Sequence, residues 1–163
     1  MNANVKFLAA LTLSIVIAPF ARATSFDHSV QDFYASGPVA VVQGERAHAC
    51  AQNLDESPIS ILIALLVASN GSVLAEKQVI LQPGAGVCID SATPSAQQSL
   101  NLVSVLVPNG RLNANNTIVQ DRPGGGCIAA SMQVQVFAQD NISGQTLLYV
   151  PMLQHQPGRS NEN

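Results

Sequence analysis

The chain has 163 residues and a formal charge of −3; only 10% of its residues are Asp, Glu, Lys or Arg, 47% are apolar, and Trp is absent. That charge density is less than half the usual ~25%, which excludes a disordered polyelectrolyte and a coiled coil with charged flanking positions. With seven basic residues against ten acidic ones, the chain also lacks the excess of Lys and Arg that a nucleic-acid module needs to displace counterions.

Residues 1–23 read as a secretory signal peptide. Lys6 supplies the positive head, residues 7–20 are apolar apart from Thr12, Ser14 and Pro19, and Ala21 and Ala23 are the small residues that signal peptidase requires. The apolar run falls short of the ~20 residues that cross a bilayer. Cleavage removes Lys6 and Arg22, leaving five basic residues against ten acidic ones. The expectation is a secreted or periplasmic protein of one domain, with no membrane span after cleavage.

Residues 24–37 are polar but carry Phe26, Phe33 and Tyr34. They read as an N-terminal arm or as a first, irregular strand. A domain over residues 38–152 follows, made of short apolar runs at strand-like spacing. The runs are 39–42, 47–53, 59–68, 73–81, 87–90, 100–107, 127–138 and 146–151. Residues 153–163 read as a disordered tail.

Turn signals separate the runs. Asn70-Gly71 predicts a hairpin with a type I′ turn, which needs positive φ at both central residues. Gln82-Pro83-Gly84-Ala85 predicts a type II turn, with Pro presetting φ and Gly accepting a positive one. Asn109-Gly110 and the glycine-rich segment 123–126 bracket a long loop, and residues 140–144 make a last hairpin. Asn70, Asn115 and Asn141 each match the glycosylation acceptor pattern, and all three fall in predicted turns.

Alternation assigns the faces, because a strand has period two. Ile128, Ala130, Met132, Val134 and Val136 share one face, with Ser131, Gln133 and Gln135 on the other. Ile59, Ile61, Ile63 and Leu65 form a second inner face. Leu62, Ala64 and Leu66 break that alternation, which predicts a strand covered on both sides. Val103, Val105 and Val107 are core candidates, and Ala47, Ala49 and Ala51 alternate with Arg46, His48 and Cys50. Two packed sheets would bury these sets. The predicted fold is all-β, a Greek-key β-sandwich of about seven or eight strands.

Residues 53–92 (NLDESPISILIALLVASNGSVLAEKQVILQPGAGVCIDSA) and 131–152 (SMQVQVFAQDNISGQTLLYVPM) resemble the middle and the closing hairpin of immunoglobulin- and fibronectin-like domains in secreted bacterial proteins. The resemblance rests on an Asn-Leu strand end, an aliphatic strand, a Gly turn and Leu-x-Pro-Gly. It implies an immunoglobulin-like sandwich and names no activity.

Cys50, Cys88 and Cys127 are an odd set. In an oxidising compartment the default is one disulfide and one leftover thiol. Spacing does not choose the pair, since each alternative closes a loop of similar entropy. Cys50 and Cys88 both point outward by alternation, and an immunoglobulin-like topology makes their strands neighbours. This favours Cys50–Cys88, with Cys127 a free thiol beside the glycine-rich loop. Cys88–Cys127, Cys50–Cys127 and three unpaired thiols are the other arrangements.

Signals for chemistry are sparse. His48, Cys50, Met152 and His155 are soft donors that suggest periplasmic copper, but no short loop gathers them and no full ligand set is visible. Gly-x-Ser-x-Gly and phosphate-loop patterns are absent, and no cofactor is implied. The outward strip of Gln133, Gln135 and Phe137 is the expected partner face. The sequence therefore predicts a non-enzymatic β-sandwich that binds a protein or cell-envelope partner. An assembling pilus- or coat-like subunit and a periplasmic copper carrier are the alternatives.

Overall fold

The computed structural model describes residues 24–27, 29–30, 32–95, 98–121 and 132–155. The expected signal peptide, His28, the glycine-rich segment, Cys127 and residues 156–163 lie outside the described residues. Every regular element among the described residues is a strand: β1 (Ser25–Phe26), β2 (Phe33–Ser36), β3 (Val39–Val41), β4 (Glu45–Asn53), β5 (Ile59–Val67), β6 (Val73–Leu81), β7 (Gly86–Asp90), β8 (Leu100–Pro108), β9 (Gly110–Leu112), β10 (Thr117–Gln120), β11 (Met132–Asp140) and β12 (Thr146–His155).

All eight apolar runs overlap strands, that of residues 127–138 over its described part from Met132, because alternating and β-branched side chains suit a pleated, half-buried surface. Four strands were not resolved as such by the pattern. The stretch expected as a long loop folds into the β9–β10 hairpin, and β1 pairs with β10 in parallel. The N-terminal arm supplies β2, which is hydrogen-bonded to β8 on one side and to β12 on the other.

The immunoglobulin-like two-layer sandwich is not what the chain forms. Eight strands make one continuous sheet in the order β6-β5-β8-β2-β12-β11-β4-β7, with β3 pairing to β8 off that path. The sheet curls 302° round an axis into a nearly closed barrel. The reason lies in β12. Its first half pairs with β11 from Thr146 to Pro151, and its second half pairs with β2 from Met152 to His155. One ten-residue strand thus belongs to both halves of the sheet and abolishes the break between layers. Pro151 sits at the handover, where a missing N–H costs least.

The barrel remains open between its end strands, β6 and β7. The type II turn expected at residues 82–85 links them: Ala85 N donates to Gln82 O (2.9 Å) and Gly84 takes φ 74°. The β5–β6 hairpin forms as expected, but not through a type I′ turn. Only Gly71 has positive φ (67°), and its N–H donates to Val67 O at 2.8 Å. The loop is longer than two residues, since Val67 N donates to Ser72 O (2.9 Å).

Two cores result. Ile59, Ile61, Ile63 and Leu65 fill the barrel interior with Ala47, Ala49, Ala51, Leu102, Leu106 and Val136. On the opposite face of β5, Leu62, Ala64 and Leu66 pack with Val105, Val107 and Ile118. The β1-β10-β9 sheet covers that second cluster, so β5 is apolar on both faces for a structural cause. Gly110 makes the cover possible. A Cβ there would stand 2.6 Å from Val107 Cβ and 2.8 Å from Val107 O, closer than real atoms approach.

Asn53 fastens the end of β4. It is fully buried. Its Nδ2 donates to Ser57 O (2.9 Å) and Leu81 O (3.1 Å), and its Oδ1 accepts from Asp55 N (2.9 Å). Its main chain bonds both Ala85 and Gly84. One residue therefore joins the β4–β5 turn and the end of β6 through its side chain, and the corner into β7 through its main chain.

Candidate binding face

The outer face of β7, β4, β11 and β12 is laid out by register. β11 runs antiparallel to β4, and β4 to β7, so outward residues align in rows across the strands. One row is Gln133, Gln52 and Gly86; the next is Gln135, Cys50 and Cys88; the third is Phe137, His48 and Asp90. β12 extends the last two with Pro151 and Tyr149. The expected strip of Gln133, Gln135 and Phe137 is thus on one outward face, with Gln133 exposed and the other two half-buried.

Cys50 and Cys88 are directly opposed and form a disulfide of sequence separation 38. The pairing expected from outward orientation holds, although the strands are neighbours in a barrel. The bond lies in a shallow groove of about 290 Å³ with Gln52, Gly86, Gln133 and Gln135 round it. The groove exists because Gly86 brings no side chain to its row, and a Cβ there would press on Ala51 O at 3.2 Å.

The third row is fixed by contacts between its members. The His48 ring stacks on Phe137 with centroids 5.0 Å apart. His48 Nδ1 donates to Asp90 Oδ1 at 2.6 Å. The bond and the stacking together fix the imidazole's orientation, and its buried Nε2 has no partner among the described residues. Tyr149 continues the row at 54% exposed. Arg46 is the one basic residue that these strands turn outward and Asp90 the one acidic residue, so the face carries no net charge.

The donors considered for copper do not converge. Cys50 sulfur is committed to the disulfide, Met152 packs into the barrel interior, and the His155 side chain lies outside the described residues. Among the described residues no three His, Cys, Asp or Glu side chains gather as a metal would require. No helix among them is long and apolar enough to cross a membrane.

No family model and no curated protein matches this chain. A solved structure titled "Crystal Structure of Thermotoga maritima 1070" resembles it at a TM-score of 0.42 and 9% identity, over 80% of this chain and 94% of that one. The face is therefore interpreted from its own chemistry.

Alternation alone places Gln133, Gln135 and Phe137 together on this face, and cross-strand register joins the others to them. Gln52 and His48 were legible as the outward partners of Cys50, since they alternate with the Ala positions. Asp90 and Tyr149 were not, because only cross-strand register brings them beside His48 and Phe137.

Proposed function

We propose that this chain is a secreted, non-enzymatic binding module whose outer face holds an uncharged, hydroxyl-rich ligand, a neutral polysaccharide of the cell envelope. The observation that carries the reading is the exposed Tyr149 ring at the end of the row that the stacked Phe137–His48 pair continues, beside the amides of Gln135, Gln133 and Gln52. Aromatic planes stack on the apolar faces of sugar rings, and amides both donate to and accept from hydroxyls. A face without net charge has little affinity for phosphates or polyanions. Secretion is supported by the signal-like residues 1–23 and by a disulfide, which persists in oxidising compartments.

The test is titration of the isotope-labelled protein with a panel of neutral polysaccharides. Amide and ring signals of Tyr149, Phe137 and Gln135 are expected to move. Tyr149→Ala removes one stacking plane and weakens binding roughly three- to tenfold, whereas Ile80→Ala, on exposed β6, leaves it unchanged. Binding that ignores Tyr149→Ala and Gln135→Ala alike refutes the assignment. Mass spectrometry of the exported chain, expected to begin at Thr24, checks secretion.

A further inference from the structure

Exposed disulfides are the labile ones, open to exchange with other thiols. Cys50–Cys88 is of that kind. Cys88 is exposed and Cys50 half-buried, and the bond lies in the groove opened by Gly86. None of the residues lining that groove is charged, so an incoming thiolate meets no like charge there.

The two sulfurs are not equivalent. β4 is an inner strand between β11 and β7, whereas β7 ends the sheet and hydrogen-bonds β4 alone among the described residues. A thiolate reaches the sulfur it attacks from the side away from the departing one, so access on that side decides which sulfur reacts. At Cys50 that side is occupied by β11, where Gln135 stands opposite. At Cys88 it lies over the free edge of β7, next to the opening between β7 and β6.

We propose that Cys50–Cys88 is a thiol-exchange site for a dithiol oxidoreductase of the Cys-x-x-Cys class, attacked at Cys88. The first thiolate of the dithiol bonds to Cys88 Sγ. The Cys50–Cys88 bond breaks, and its electron pair leaves on Cys50 Sγ, which takes a proton from water. The second thiol of the dithiol loses its proton to water and attacks its neighbour in the mixed disulfide. Cys88 Sγ departs with the electron pair and is protonated in turn. The chain's disulfide is thus reduced to two thiols, and the dithiol is oxidised to a disulfide.

The bond is the main tie on the middle of β7. Of the strand's five residues, Ile89 alone is buried. Both ends are anchored without sulfur, since Asn53 N donates to Ala85 O and Ser91 N to Ala47 O. Reduction therefore loosens β7 between two fixed points and leaves the rest of the barrel closed. Asp90, which accepts from His48 Nδ1, sits in the loosened stretch. The exchange chemistry is independent of what the outer face binds.

The experiment uses the full chain carrying Cys127→Ser, so that only Cys50 and Cys88 react. It is mixed in native buffer with a thioredoxin whose second active-site cysteine is replaced by Ser, which stops the reaction at the mixed disulfide. N-ethylmaleimide then caps the freed thiol, and peptide mass mapping locates both. The linkage is expected on Cys88 at least about tenfold over Cys50. Intact thioredoxin should reduce the chain without denaturant. Hydrogen exchange of residues 86–90 should then speed up at least about tenfold, with β5 and β8 unchanged. Four results overturn the proposal: reduction only in denaturant, a linkage equal on both cysteines or favouring Cys50, β7 exchange unmoved by reduction, or loss of protection throughout the barrel.

Discussion

Replacing Asn53 by Ala is expected to destabilise the barrel more than any other substitution of a single uncharged polar side chain. The mutation removes two donated bonds, to Ser57 O and Leu81 O, and one accepted from Asp55 N. The three losses differ in cost. Ser57 is exposed and Asp55 half-buried, so water replaces Asn53 at both and each bond costs only its net worth of about 0.5–1.5 kcal/mol. Leu81 is buried, so its carbonyl loses a partner and bears a desolvation penalty of about 1–3 kcal/mol. The sum is about 2–6 kcal/mol, a fall in Tm of roughly 6–20 °C for a domain of this size. Asn53→Asp separates the bonds from the shape. It keeps the acceptor but turns a carboxylate oxygen toward two carbonyls in a buried site, where an unpaired charge costs more than a lost hydrogen bond. Urea denaturation followed by circular dichroism should therefore rank wild type above Asn53→Ala and Asn53→Asp last. An Ala variant within about 0.5 kcal/mol of wild type, the range of ordinary surface changes, would refute the reasoning, as would an Asp variant milder than Ala.

Cys50→Ala with Cys88→Ala opens a loop of sequence separation 38 and is expected to cost about 4 kcal/mol by the loop-entropy formula, read as a lower urea midpoint that added reductant does not lower further. Gly110→Ala forces a methyl group onto Val107, 2.6 Å away, and should cost about 3 kcal/mol, the upper end of the usual overpacking range. Gly44→Ala is the comparison: φ is 87° but nothing lies within 4 Å, so only backbone strain of about 1 kcal/mol applies. Equal losses in the two glycine variants would mean that the β9 contact does not constrain the cover. The Asp140 carboxyl is held below the usual carboxylate range by the Ser143 amide first, then by the Ser143 hydroxyl and the Ile142 amide. A lowered folded value means that the hairpin's stabilisation is present above the unfolded pKa and is lost as pH falls through the folded one. The amide signals of Ser143 and Ile142 should accordingly shift together on acidification below about pH 4, and Asp140→Asn should abolish the titration.

Strand positions were legible because alternation and turn residues are local. The Ala face of β4, the doubly apolar β5 and the turn at Pro83-Gly84 all follow from side chains within a few residues. The barrel was not legible, since a sandwich and a barrel demand the same alternation. The difference rests on one strand, β12, whose pattern seemed to stop at Pro151. Proline ends a strand that needs its N–H, but here it stands where pairing passes from β11 to β2. The arm was similarly obscured. Phe33-Tyr34-Ala35-Ser36 is short and flanked by polar residues, and its place between β8 and β12 depends on partners more than sixty residues away. The Cys50–Cys88 pair was within reach because opposed outward cysteines need only local parity and adjacency, which the mistaken architecture happened to share.

The placement of β12 also bears on how the chain reaches its native state. Among the described residues β12 follows all the other strands in the sequence, yet it alone of them hydrogen-bonds both β2 and β11. Emerging from a ribosome or a translocation pore, the chain can form its local hairpins early, but β2 has to wait for residues more than a hundred positions later. Contacts of such high sequence separation are slow to form, and the waiting intermediate exposes unpaired edges. Closure is thus a late event, and until it happens β2 depends on β8 alone.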